Sequence, residues 1–277
     1  MALTIRPMTR ADIDPAADVI LAGGWGDRRA HLDFSIGRPF CQAFVAEHEG
    51  LIVGTAMSTT NGEAGWVGLV FVAPDHRGRG LGAELTAAAV EVLEKAGCRT
   101  LLLVATEQGR RVYERFGFVA DTSYEVFSAS GLPAAALDPA IRTLSAADTE
   151  AVVAADRAAT GEDRSKLIAS VLETGGGWCM TDEAGRRIGH VLRPPFRGAS
   201  TIAADPDVAL RLLDHRRRAA GPQATVRTGI LAENAEGRRW LEAAGWTHDR
   251  THPRLIRGEP LTWQPAAIWG QFNFALG

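Results

Sequence analysis

The chain has 277 residues, above the usual length of one compact domain, so two domains of roughly 130 residues each are expected. Its 30 Lys and Arg against 33 Asp and Glu leave a formal net charge of -3, which sets up no strong field for nucleic acid or a membrane surface, and no apolar run nears the roughly 20 residues of a bilayer span. Three widely spaced cysteines without a CxxC pair, Cys41, Cys98 and Cys179, argue against a disulfide framework and a metal site and make a reducing cytoplasm the expected compartment.

Leu3–Arg6 reads as a strand and Ala11–Ala22 as a helix with Asp12 and Asp14 in its first turn, where the dipole favours anions. A loop with Trp25 and Asp27 follows. Phe40–Glu47 and Leu51–Thr59 are apolar, β-branched runs joined at His48-Glu49-Gly50, which suits a hairpin, and Trp66–Val72 is a third strand cut off by Pro74. Next comes Arg77-Gly78-Arg79-Gly80-Leu81-Gly82. From Ala83 to Ala96, Leu85, Ala88, Ala89, Val92 and Leu93 recur at the spacing of one helix face, and Gly97 ends that helix. Thr100–Val104 reads as a buried strand, Glu107–Phe116 as a helix, Phe118–Phe127 as a closing strand and Ser128–Pro139 as a linker.

The same grammar then begins again. Ile5-Arg6 with Ala11-Asp12 is echoed by Ile141-Arg142 with Ala147-Asp148, and Gly109–Phe118 (GRRVYERFGF) by Gly237–Trp246 (GRRWLEAAGW). Two copies of one fold are therefore expected: 1–128, a linker at 129–139, and 140–277. The second copy runs from strand through Pro206 straight into helix with no glycine turn, so only the first should hold phosphate.

The turn's position between strand and helix carries its meaning. Its glycines allow positive φ and close approach of a ligand, while the amides that open the next helix point into it with the positive end of the dipole. Arg77 and Arg79 add charge for a pyrophosphate. Neither the GxxxxGK(S/T) nor the GxGxxG nucleotide pattern is present.

These residues resemble the Gcn5-related N-acetyltransferase (GNAT) family, in which a Gln or Arg precedes a spaced glycine pair behind a strand that ends near proline; Arg77, Gly80 and Gly82 match. The resemblance implies an α/β (α+β) fold of two tandem GNAT-like domains, each a mixed, mostly antiparallel sheet flanked by helices, the second degenerate. It further implies that the turn, Arg77, Gly78, Arg79, Gly80, Leu81, Gly82 and Ala83, holds the pyrophosphate of acetyl-CoA, and that the preceding strand bulges and splays from its neighbour, with Val70, Phe71 and Val72 along the pantetheine arm in the gap. Tyr113, in a stretch similar to the family's LYExxGF run, is implied as general acid to the coenzyme thiolate. Thr106 replaces the family's usual asparagine there.

No general base declares itself among Glu63, Asp33, Asp27 and His31, and a water chain is an alternative. Trp25, Asp27 and His31 lie where the family walls its acceptor site. The expected function is an acetyl-CoA-dependent N-acetyltransferase that acts on the amine of a small molecule, without metal, nucleic acid or membrane partner, as a monomer or homodimer. A non-catalytic acyl-CoA-binding regulatory module stands as an alternative, as do acceptors such as a protein N-terminus, an amino sugar or a thiol precursor. The apolar tail that ends at Gly277 is too hydrophobic to hang free and should dock on the protein, and the resemblance makes entry of its carboxylate into the active site one expectation, as in some multidomain acetyltransferases.

Overall fold

A computed structural model describes residues 3–107, 109–135 and 138–277. The chain forms two compact units, neither of them contiguous: the first comprises Met1–Asp121, Arg254–Pro260 and Phe274–Gly277, the second Thr122–Pro253 and Leu261–Asn273. The repeats at 1–128 and 140–277 therefore exchange short segments.

Unit 1 runs β1 (Thr4–Pro7), α1 (Ile13–Ala22), α2 (Arg29–Ser35), β2 (Cys41–His48), β3 (Leu51–Asn61), β4 (Ala64–Val72), α3 (Leu81–Lys95), β5 (Thr100–Val104) and α4 (Arg110–Glu114). Its sheet has the order β1-β2-β3-β4-β5, antiparallel except for the parallel pair β4–β5. The β2–β3 hairpin turns at Glu49 (φ 54°) and Gly50 (φ 79°), both left-handed, as a tight hairpin that matches strand twist requires. The apolar stripe of α3, Leu81, Leu85, Ala89 and Leu93, covers one sheet face with Ala56, Val67, Leu101 and Leu103.

The next strand, β6 (Val119–Ser130), starts in unit 1 and continues in unit 2, where Tyr124–Ser130 pairs antiparallel with Thr225–Leu231. The position beside β5 is instead taken by Arg254–Gly258, antiparallel to Thr100–Val104. Thr100 Oγ1 donates to the Glu259 carbonyl (2.7 Å), and buried Arg254 grips Asp121 at 2.5 Å.

Unit 2 continues with β7 (Ile141–Thr143), α5 (Thr149–Thr160), α6 (Ser165–Thr174), β8 (Gly177–Thr181), β9 (Arg187–Leu192), β10 (Ser200–Ala203), α7 (Pro206–Ala220), β11 (Thr225–Leu231), α8 (Ala235–Ala243), β12 (Thr247–Gly258) and β13 (Ile268–Gly270). One sheet has the order β13-β10-β9-β8-β7, and α7 packs Val208, Ala209, Leu212 and Leu213 into a core with Met180, Val191 and Ala203.

The repeat is visible atom by atom. In unit 1 the Arg6 guanidinium donates to both Asp12 oxygens, each at 2.8 Å, and Thr9 donates to Asp12 through its amide and hydroxyl. In unit 2 Arg142 donates to both oxygens of Asp148 at 2.9 and 2.6 Å, and Ser145 takes the place of Thr9. The ion pair Arg110–Glu114 on α4 recurs as Arg238–Glu242 on α8.

Two expectations need correction. Residues 128–130 are strand rather than linker, because β6 keeps a partner in β11 as far as Ser130, and Gly131 donates onward to the Ala224 carbonyl. The helix expected at Glu107–Phe116 is confined to Arg110–Glu114, since Thr106 accepts the Gly109 amide at its start and Gly117 (φ 81°) closes it. Gln108 within it, Ala136 and Leu137 in the linker, and Met1 and Ala2 lie outside the described residues.

Each Arg–Asp clamp ties a strand to the start of the following helix with charge-assisted bonds. Asp12→Asn is expected to lower unfolding free energy by about 2 kcal/mol in urea titration. Asp148→Asn should cost less, because Arg142 is the more exposed arginine of the two pairs.

Candidate active site

β4 is laddered to β5 only over Ala64–Trp66 against Thr100–Leu102, although β4 runs on to Val72. Past Trp66 no ladder joins the two parallel strands, so their facing backbones are not paired to one another there. On its other side, β4 carries an extra residue: Thr55 of β3 pairs with Phe71 and Met57 with Gly68, so a single residue, Ala56, faces both Leu69 and Val70. Leu69 takes φ 49°, uncommon for a residue with a side chain, and the Thr55 hydroxyl holds its carbonyl at 2.8 Å. The extra residue also sets directions. A Cβ on Gly65 would meet Leu93 of α3, one on Gly68 would meet the opposite layer, and the bulge keeps Phe71 on the Gly68 face, where Gly23 and Trp25 lie against its ring.

Beyond Val72 a single turn of 3-10 helix, Pro74–His76, leads into the glycine turn. Gly78 and Gly80 are left-handed (φ 76° and 87°), and Gly80 caps α3 with its carbonyl accepting the Ala83 and Glu84 amides. A Cβ on Gly78 would meet nothing within 4 Å and one on Gly82 only Val72 at 3.8 Å, so the turn is open above its backbone. Leu81 anchors it in the core, while Arg77, Gly78, Arg79 and Gly80 are exposed and Gly82 and Ala83 half-buried. Arg77 Nε donates to the Val72 carbonyl at 2.9 Å.

Tyr113, Val70, Val72 and Leu81 meet in one apolar cluster on the α3 side of the sheet. Burial pushes the Tyr113 hydroxyl up to about 12, so it stays protonated at neutral pH. Trp25 stands edge-on to Phe71 with ring centroids 5.5 Å apart. The other acceptor candidates are engaged elsewhere. Asp27 accepts the Arg29 amide at 2.9 Å and lies in the Arg29 charge cluster with Asp14 and Asp18, which holds its carboxyl below the usual range. His31 is buried in α2, and desolvation pushes it down to about 3. Asp33 pairs with Arg10 and Glu63 with Arg99. His76, beside the turn, stacks edge-on against His48.

The resemblance implies a bulge in this strand, and the structure places it at Leu69 and Val70, a position that nothing about a leucine signals in the sequence. The apolar tail docks as expected, and the structure gives its seat. Thr59 Oγ1 donates to the Ala275 carbonyl (2.8 Å) and Asn61 Nδ2 to the Leu276 carbonyl (3.0 Å), which seats Phe274–Gly277 on the β3–β4 face beside Gly68.

Unit 2 closes the corresponding place from within. β10, the counterpart of β4, pairs on that side with β13, Thr201 opposite Gly270 and Ile202 opposite Ile268. Buried Trp269 donates Nε1 to the Ala203 carbonyl (3.2 Å), and the Thr228 hydroxyl donates to the Trp269 carbonyl.

Among the described residues no group of three or more His, Cys, Asp or Glu is placed to hold a metal ion, and no helix is long and apolar enough to cross a membrane. Residues 12–118 match the model of the acetyltransferase (GNAT) family. The uncharacterized N-acetyltransferase YitH of Bacillus subtilis (strain 168) is 27% identical over 218 residues, 76% of this chain and 76% of that protein. Among solved structures, one from Pyrococcus horikoshii is similar at a TM-score of 0.84 and 19% identity, over 99% of this chain and 96% of that one. A tandem GNAT protein from the clavulanic acid biosynthesis pathway gives 0.65 at 17% identity, over 94% of this chain and 99% of that one. At these identities the structures establish the fold.

Two histidines, His31 and His190, are held neutral by burial, at about 3 and about 4. Their ordinary value in an unfolded chain is about 6.5, so below that pH the unfolded state binds more protons and stability falls as pH falls. Unfolding free energies from urea titration should be flat between pH 7 and 8 and drop from pH 6.5 towards 4.5, by up to about 1.4 kcal/mol per pH unit for each histidine, with a shallower slope in His31→Gln.

Proposed function

The chain belongs to the GNAT acetyltransferase family and is an acyltransferase, and from that premise we propose that unit 1 takes acetyl-CoA and transfers its acetyl group to the amine of a small molecule. The observation that carries this reading is the end of the β4–β5 ladder at Trp66, on the strand that leads directly into the left-handed turn at the start of α3.

In this reading the pyrophosphate takes the amides of Gly78 through Gly82, with Arg79 at the rim and the positive end of the α3 dipole behind. Arg77 gives up the Val72 carbonyl as the pantetheine amides pair along Val70–Val72 like an added strand. The amine nitrogen attacks the thioester carbonyl carbon, and the oxyanion that forms takes a hydrogen bond from the backbone near Val72. As the intermediate collapses the carbon–sulfur bond breaks and the electron pair leaves on sulfur. Tyr113, with its hydroxyl held above the ordinary thiol range of about 8.5, stabilises the thiolate as a hydrogen-bond donor, and the thiolate's proton comes finally from solvent. The acidic side chains near the site are occupied by Arg29, Arg10 and Arg99, which supports loss of the amine proton to water.

Thiol release from acetyl-CoA, screened over amino acids, polyamines, amino sugars and short peptides, tests the proposal and identifies the acceptor class. Tyr113→Phe should lower kcat about 10-fold or more while KM for acetyl-CoA stays nearly constant. Gly80→Ala, forced to keep a left-handed residue, should raise that KM. Coenzyme binding without thiol release from any amine would leave a binding module instead. Because β13 pairs along the corresponding strand in unit 2, calorimetry should find one acetyl-CoA per chain, and two would contradict the assignment.

A further inference from the structure

We propose that the segment Phe274–Gly277 is a wall of the acceptor pocket of unit 1 and sets the size of amine that the enzyme accepts. The proposal rests on the acetyltransfer reading above. It starts from which sheet face is left for an acceptor. The α3 face is filled: a Cβ on Gly54 would lie 2.9 Å from Leu85 Cδ1, and one on Gly65 would lie 2.8 Å from Leu93 Cδ2. An amine approaching the unladdered end of β4 must therefore use the other face, which carries Gly68 and Phe71.

Both of those positions are already covered, by different parts of the chain. Over Phe71 lie Gly23, whose Cβ would fall 2.2 Å from the ring, and Trp25. Over Gly68 lies Ala275, so close that a Cβ on Gly68 would come within 2.3 Å of the Ala275 Cβ and 2.4 Å of its Cα. Gly68 is in extended backbone, so what demands glycine there is the tail. Between the two covers remains the bulged stretch at Leu69, Val70 lying on the α3 side. At roughly 3.3 Å per residue the window spans about 10 Å along the strand, room for a small amine and little more.

The tail is held by directed bonds as well as contact. The Thr59 hydroxyl and the Asn61 amide, both fully buried, take successive tail carbonyls, and Ala275, Leu276 and Gly277 are buried. A segment fixed this firmly next to the bulge discriminates by shape: bulkier acceptors meet Ala275 before their nitrogen reaches the thioester carbonyl.

The test compares wild type with three variants: a chain ending at Asn273, Gly68→Ala, and the double variant Thr59→Val with Asn61→Ala. Each is measured for thiol release over a series of primary amines of increasing bulk, with acetyl-CoA binding by calorimetry as the control for folding. The expected result is unchanged coenzyme affinity together with a shift of acceptor kcat/KM towards bulkier amines, about 10-fold or more between the ends of the series and mostly in acceptor KM. If one variant fails to bind coenzyme, the other two carry the result. An unchanged size profile in variants that bind acetyl-CoA, with wild type active, overturns this proposal alone. No thiol release from wild type with any amine overturns the acetyltransfer reading, and this proposal with it.

Discussion

One extra residue in β4 organises the site. Without it, strand alternation would send Phe71 to the α3 side. With it, Leu69 is pushed into left-handed backbone, Gly68 and Phe71 come to the same face, and Val70 and Val72 join Tyr113 and Leu81 on the other. The bulge costs an unfavourable φ at Leu69, of order 1–2 kcal/mol. The Thr55 hydroxyl and the packed layers on both faces offset it.

The duplicated halves show which parts of the unit are structural and which are specific. The Arg–Asp clamp and the glycine-led helix with its Arg–Glu pair occur in both units with matching bonds, because they secure the first strand and a short helix regardless of what the unit binds. The unladdered edge of the fourth strand occurs in one. In unit 2 a strand and a tryptophan from the tail pair with the strand edge whose counterpart in unit 1 has no such partner past Trp66, one way a fold covers an open sheet edge. The tail thus has two different tasks along its length: Ile268–Gly270 completes a sheet in unit 2, and Phe274–Gly277 caps a sheet face in unit 1.

Much of this was legible in the sequence. Local patterns placed the β2–β3 hairpin, the glycine turn, α3 and β5 within a residue or two, because period-2 and period-3.6 apolar spacing and turn residues act over short stretches. The repeat was legible because Arg-x-x-x-x-x-Asp and Gly-Arg-Arg-x-x-Glu each encode a bond within one unit. The backbone form of the glycine turn followed for the same reason: glycine, arginine and a helix start lie next to one another in the chain.

What the chain specifies through distant partners was not legible. Phe118–Phe127 reads as the closing strand of the first repeat, yet Tyr124–Ser130 pairs with β11, and Arg254–Gly258 takes the place beside β5; strand alternation is the same for any partner, so only assembled hydrogen bonding decides among them. Asp27 and His31, plausible as acceptor ligands from their place in the chain, were assigned by three dimensions to an arginine cluster and to a desolvated interior. The sequence by itself determined a duplicated unit with one glycine turn at the start of a helix, because those features are local. Only the tertiary structure decided the bulge at Leu69, the exchanged strand and the seat of Ala275 on Gly68, because each is a match between surfaces far apart in the chain.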